Sequence, residues 1–189
     1  YQKDYTKAQN LTNEVILSGE YNLNDPFKDV WSVANPNGNG SIFEIQNSYS
    51  DLYDTGNALP VLSRSRADGG WGFGTPSSNL DNFMAGDPRR DFTIIKQGDY
   101  VSEEYPSYDT KPSENMSGRT NRKYFLNSED RPEKSEHKRS PLNHILLRYA
   151  DLLLMHAEAA YYNGDENSAL ISLNKVNIKY WTRIINSYL

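Results

Sequence analysis

Cysteine is absent from the 189 residues. That removes disulfides, zinc–thiolate sites and thiol catalysis together. No apolar run approaches the roughly 20 residues a membrane-spanning helix needs, and no stretch of these residues reads as a signal peptide. A dense basic patch is lacking as well. The formal net charge is -5, and the most basic stretch, Arg131 to Arg139, is interrupted by Glu133 and Glu136, so nucleic-acid binding is not expected. The three histidines, His137, His144 and His156, show no HExxH or other ligand spacing. Gly69 to Gly74 is glycine-rich but lacks the lysine and the preceding strand of a phosphate loop. Glu103 and Glu104 are neighbours on one loop. A glycosidase needs two carboxyls facing each other across a cleft, so no catalytic residue is assigned. No twelve-residue EF-hand pattern occurs, and a structural calcium near Asp51 and Asp54 is the only metal the loops suggest. No other metal or cofactor is expected.

Aromatics are plentiful: 14 Tyr and 3 Trp. Their flat apolar faces and polar edges suit surface recognition, or they pack within loop-rich structure. Hydrophobic residues make up 37% and the mean hydropathy is -0.80. That is polar for a globular chain but not a composition of disorder.

Three zones and a tail follow from the pattern. Residues 1–19 predict a helix with Tyr5, Ala8, Leu11 or Thr12, and Val15 on one face, stopped by Gly19. Residues 20–140 are rich in Gly, Pro, Asn, Asp and Ser, with strand-like runs at Ser41–Gln46, Phe92–Lys96 and Arg122–Leu126. An irregular stretch of this length is usually functional or disordered, and its spread of aromatics argues against full disorder. Residues 141–180 predict a helical hairpin. Ser140 would cap the first helix, with Pro141 at its first position, and the helix would run to about Asn163. Leu142, Ile145, Leu146, Tyr149, Leu152, Leu153, His156 and Ala160 share its broad face. Only Gly164 and Asp165 link it to a second helix, with Ala169, Leu170, Leu173 and Val176 as inner stripe. Ala150, Ala157, Ala159 and Ala160 permit close approach, as in tetratricopeptide-like repeats. Residues 181–189 form a tail.

The motifs have a precedent. His144 to Ala159, HILLRYADLLLMHAEA, resembles a conserved helix of the SusD/RagB family, and Ala169 to Val176 resembles the helix that follows it. Trp71 to Leu80, Gly86 to Ile94 (GDPRRDFTI), Ile42 to Gln46 (IFEIQ), Tyr5 to Leu23 and Arg122-Lys123-Tyr124 match further family elements, all in family order. The chain departs from the pattern at its end, where Asn177 replaces an arginine and the usual closing segment is missing.

The resemblance implies a mainly α fold in which tetratricopeptide-like hairpins pack against a long loop-rich region with a few short strands. It implies a large C-terminal portion of a surface lipoprotein, without the first repeats and lipid-anchor cysteine, and with a truncated or divergent end. Such proteins are not enzymes. They sit on the outer membrane as partners of a SusC-like TonB-dependent transporter, attached only through that anchor, and bind glycans or, in some cases, peptides. The loop aromatics Trp71, Tyr53, Tyr49, Trp31 and Phe73 are the candidate ligand contacts. Asn47, Asp51, Asn57, Arg64 and Arg66 are candidate partners for hydroxyls. Trp71 is also suited to plug the gap between its loop and the helices. Arg148 and Asp151, one helical turn apart, and Asp87 before Pro88-Arg89 read as framework.

Overall fold

A helix satisfies its own backbone and needs only one apolar stripe to be covered; a long loop must find a partner for every buried N–H and C=O. The computed structural model, which describes residues 3–50, 55–133 and 138–185, divides the chain along this line. One unit comprises Tyr1–Pro26, Asn37–Glu44 and Ile145–Leu189, the other Phe27–Pro36 and Ile45–His144.

The first unit is helical. Helix α1 spans Tyr5–Ser18. Asp4 caps it by accepting the Lys7 N–H at 2.9 Å, and Gly19 closes it in the left-handed region. Thr12, not Leu11, joins Tyr5, Ala8 and Val15 on the inner face; Leu11 is exposed. Tyr5 stacks on Tyr162 of helix α4 (Tyr149–Tyr162), with ring centroids 4.7 Å apart. Helix α5 (Glu166–Ile185) returns antiparallel after the short link, and Asp165 caps it through the Ser168 N–H. Leu153 and Ala160 are fully buried, and Val15, Ile16, Tyr21 and Leu23 pack around the cluster of Tyr149, Leu152, Leu153 and Val176.

Two expectations are corrected here. The helix does not start at Pro141. His144–Arg148 forms strand β4, which pairs with β1 (Ser41–Ile45). The apolar run Ile145–Leu147 suits either state, and an available partner strand decides it. The helix starts only at Tyr149, where the Asp151 carboxylate accepts the Arg148 N–H at 3.0 Å, in the manner of a capping box. In α5 the buried stripe is Ala169, Ser172 and Val176. Leu170 and Leu173 are exposed and, with Leu154 and Tyr161, line an apolar surface groove of about 540 Å3.

The second unit holds short helices α2 (Leu59–Ser63) and α3 (Ser78–Phe83), and a two-stranded sheet. In the sheet, β2 (Ile94–Lys96) runs antiparallel to β3 (Arg119–Asn121), Ile95 opposite Thr120. The expected strand at Arg122–Leu126 is thus displaced upstream. The Asn121 side chain accepts the Lys123 N–H at 2.8 Å and turns the chain out of the ladder. Phe125 then packs edge-on against Tyr105 and Tyr108, beside a small core of Ile95 and Val101.

Candidate ligand site in the loop unit

The site begins with the end of α2. Its last carbonyls have no helical acceptor role left to fill, and the glycine-rich loop folds back to use them. Trp71 N–H donates to Val61 O at 2.9 Å, Phe73 N–H to Leu62 O at 2.8 Å, and Gly72 N–H to Arg64 O at 2.9 Å. The approach is so close that a β-carbon on Gly70 would lie 2.3 Å from Arg64 O, which only glycine avoids. Arg66 braces the loop from outside, donating Nε–H to Trp71 O at 3.1 Å and reaching Glu114 at 3.4 Å. The result is a fixed presentation of Trp71 and Phe73, two residues apart, with edge-to-face rings 6.0 Å between centroids. Both keep much of their surface in solvent, 36% for Trp71 and 54% for Phe73. The Lys138 ammonium lies 5.1 Å from the Trp71 ring centre.

Trp71 lines a cavity of about 540 Å3 together with Pro60, Arg64, Asp68, Ser128 and Arg131. That volume is in the range of small-molecule sites. Its polar wall is organised by Asp68. Arg131 binds the carboxylate in two-point fashion, Nη1 to Oδ1 at 2.9 Å and Nη2 to Oδ2 at 2.8 Å. The Tyr105 and Tyr108 hydroxyls add bonds at 3.1 and 3.3 Å. Burial, opposed by Arg131 and reinforced by Asp68, pushes the Tyr105 hydroxyl up to about 12; burial and Asp68 push Tyr108 up as well. Both therefore stay protonated donors to Asp68 at neutral pH. Arg131 also donates Nε–H to Leu126 O at 2.7 Å, tying down the chain on the far side of the cavity.

The candidate residues separate into groups. Trp71 and Arg64 come together on the cavity wall, and Phe73 adjoins Trp71. Arg66 is a strut of the loop and does not line the cavity. Asn47 is spent on backbone: its amide donates to Ile45 O and Leu142 O, both at 3.2 Å. Asn57 is buried and likewise structural, donating to Leu142 O and accepting the Leu59 N–H. Trp31 lies in a separate pocket of about 240 Å3, edge-on to Phe27, with the Lys123 ammonium 4.4 Å from its ring centre. Tyr49 is exposed and lines neither cavity. Tyr53 and Asp51, with the calcium expectation at Asp51 and Asp54, lie outside the described residues.

Sequence reasoning missed Asp68, Arg131, Tyr105 and Tyr108. Arg131 is 63 positions from Asp68, and no local spacing signals such a pair. The framework assignments hold. Asp87 accepts the Arg89 N–H and pairs with its guanidinium. The Glu104 carboxylate accepts the Ser128 N–H at 2.9 Å. His156 is buried, its Nδ1 2.8 Å from Ser172 Oγ. Among the described residues, no three His, Asp or Glu side chains gather as a metal site, and no helix is long and apolar enough to cross a membrane.

Solved structures share this fold. Surface glycan-binding protein A from Bacteroides uniformis is 24% identical with a TM-score of 0.73, over 93% of this chain and 38% of its own. A laminarin-binding SusD-like protein is 22% identical with a TM-score of 0.72, over 91% and 42%. Surface glycan-binding protein A from Bacteroides thetaiotaomicron, solved in complex with laminarihexaose, is 23% identical with a TM-score of 0.73, over 93% and 43%. The chain thus spans about two fifths of these relatives. No curated protein sequence matches it. The SusD family model matches residues 6–180, nearly the whole chain, and the chain belongs to the SusD family.

Proposed function

We propose that this chain binds glycans without turning them over, using the Trp71–Phe73 edge of the loop-unit cavity as its sugar platform. The carrying observation is that edge: two partly exposed aromatics, held rigidly by backbone bonds to α2, beside a roomy cavity with one charged wall. A pyranose has apolar C–H faces and polar rims. Stacking one face on an indole buries about 40 Å2, or about 1 kcal/mol at roughly 25 cal/mol/Å2. Arg64, Arg131 and Ser128 offer hydroxyl partners beside it. Family membership and solved relatives described as glycan- and laminarin-binding support the same reading. By the same family argument the whole protein sits on the outer-membrane surface as a lipid-anchored protein and hands its ligand to a SusC-like TonB-dependent transporter. Cross-linking in native membranes tests that partnership, and recovery of no such channel would sink it.

Calorimetric titration of the 189-residue chain with a panel of oligosaccharides and extended peptides tests the binding. Trp71→Ala weakens glycan affinity about fivefold to tenfold, and prolonged incubation releases no reducing ends. If only peptides bind, or if Trp71→Ala leaves every glycan affinity unchanged, the platform is misplaced.

A further inference from the structure

The charge on the cavity wall does not balance. Asp68 faces two guanidiniums. Arg131 takes it in two-point geometry, and the Tyr105 and Tyr108 hydroxyls bring the donors on its two oxygens to four. That fills the roughly four lone-pair positions a carboxylate offers. Arg64 is left over. Its side chain is only 10% exposed, and its Nε stands 3.8 Å from Asp68 Oδ2, beyond hydrogen-bonding reach. Among the described residues this buried Nε has no hydrogen-bond partner. The imbalance is local, because the chain as a whole carries a net charge of -5. Lys138, beside the Trp71 ring, adds a further positive charge at the rim.

Leaving a cation buried beside another is costly, and proteins retain such local violations mainly where a ligand relieves them. Burial first, and then the neighbouring Arg131 charge, pull Arg64 below the ordinary arginine value, which reflects the same crowding. We propose that the Arg64–Arg131 corner is an oxyanion subsite, and that the chain prefers glycans bearing an acidic group, a uronate carboxylate or a sulfate ester, over neutral ones. The sugar ring rests on Trp71 while its anion takes the donors of Arg64 that Asp68 cannot accept, and a planar guanidinium suits either oxyanion. The inference rests on the glycan-platform reading and adds the class of sugar.

The test compares a neutral laminarihexaose with an oligogalacturonate and a sulfated oligosaccharide of similar length, titrated into the full chain at low and at moderate salt. Galacturonate monomer and inorganic sulfate serve as competitors. An acidic oligomer binds about tenfold or more tighter than the neutral one, as charge-assisted hydrogen bonds imply. Added salt narrows that ratio. Arg64→Gln brings the ratio near one, while Arg64→Lys preserves part of it. Lys138→Gln, a surface change that leaves the buried cluster intact, lowers the ratio by a smaller factor and keeps the test informative should the Arg64 variants fold poorly. Equal affinity for neutral and acidic oligomers overturns the proposal and leaves the platform standing. Competition by sulfate with no acidic-sugar preference marks an adventitious ion only and also overturns it. Failure of every sugar to bind removes the platform reading, and this proposal with it.

Discussion

The two units bury different things. In the helical unit the buried positions are chiefly Leu152, Leu153, Ala157, Ala159, Ala160, Ala169 and Val176, and the main polar exception is the His156–Ser172 pair. In the loop unit Asn57, Ser63, Ser65, Asp81, Thr110, Thr120 and Ser140 are buried among apolar groups such as Val61, Ile94, Ile95, Leu126 and Leu142. The contrast follows from backbone accounting. Helices close their own hydrogen bonds and leave only side-chain volume to be matched. A chain that turns every few residues must recruit Asn, Ser, Asp and Arg side chains to serve its buried backbone and one another. Asp68 and Asp81 are therefore to the loop unit what Leu153 is to the helical one. That same polar framework is what holds Trp71 and Phe73 in place.

The sharpest way to break this contrast is at Asp81. Its side chain is 8% exposed and accepts Arg90 Nε at 2.9 Å and Arg119 Nε at 3.0 Å, with Lys96 Nζ 3.4 Å away. Burial pushes its carboxyl up, but the bonds from Arg90 and Arg119 outweigh that and hold it below the usual range. Asp81→Asn takes the buried carboxylate's charge away from Arg90 and Arg119, leaves Arg90 only Asp91 and Asp99, and costs roughly 3 kcal/mol, read as a fall in the urea midpoint. Hydrogen exchange should speed up around β2 and β3 and not in α4. A loss below about 1 kcal/mol would mean that the loop unit depends on its small apolar core instead.

The helical counterpart is Leu153→Ala. The side chain is fully buried, and its removal costs about 3 kcal/mol by lost transfer energy and cavity formation. Leu170→Ala, one helix away on the exposed groove, changes stability by no more than about 0.5 kcal/mol. Comparable losses at Leu153 and Leu170 would place the true core of this unit on the outer face of the hairpin.

Legibility in the sequence followed the same divide. Helical periodicity located α1 and the α4–α5 hairpin, and the Gly164-Asp165 link set their direction, because those signals are local. Where they failed, the missing information was a distant partner. Ile145–Leu147 is strand because β1 lies alongside, and Leu170 faces out because Ser172 turns in to meet His156, which the run Ala169–Leu173 does not reveal. In the loop unit, Gly70-Trp71-Gly72-Phe73 announced a turn bearing aromatics. Nothing in the sequence around Arg64 announced that Arg131 would occupy the Asp68 carboxylate.

The smallest effect, and the most discriminating, is a difference in pH response. Burial first, with Lys175 assisting and Asp165 opposing, holds His156 below its ordinary value. A histidine depressed in the folded state is neutral in both states above about 6.5; its contribution is fully present there and is lost as pH falls through the folded value, because the unfolded chain takes up the proton first. The loop unit responds at the other end. Tyr105, raised to about 12, contributes fully below about 10 and loses that contribution as pH rises from there toward 12. Its buried Asp81 yields only as pH falls below the ordinary carboxylate value of 3.8. As pH falls below about 6.5, then, intrinsic-rate-corrected hydrogen exchange should accelerate in Leu152–Ala160 while Ile94–Lys96 stays protected. Above pH 10 protection of Ile94–Lys96 should fall, and burial of Tyr149, which raises its hydroxyl too, gives the start of α4 an alkaline response of its own. His156→Gln keeps a polar partner for Ser172 and removes the titration, so it should abolish the acid limb in α4 without touching the alkaline limb. An acid limb that survives this substitution would move the trigger away from the α4–α5 contact and erase the distinction between the units on that side of neutrality.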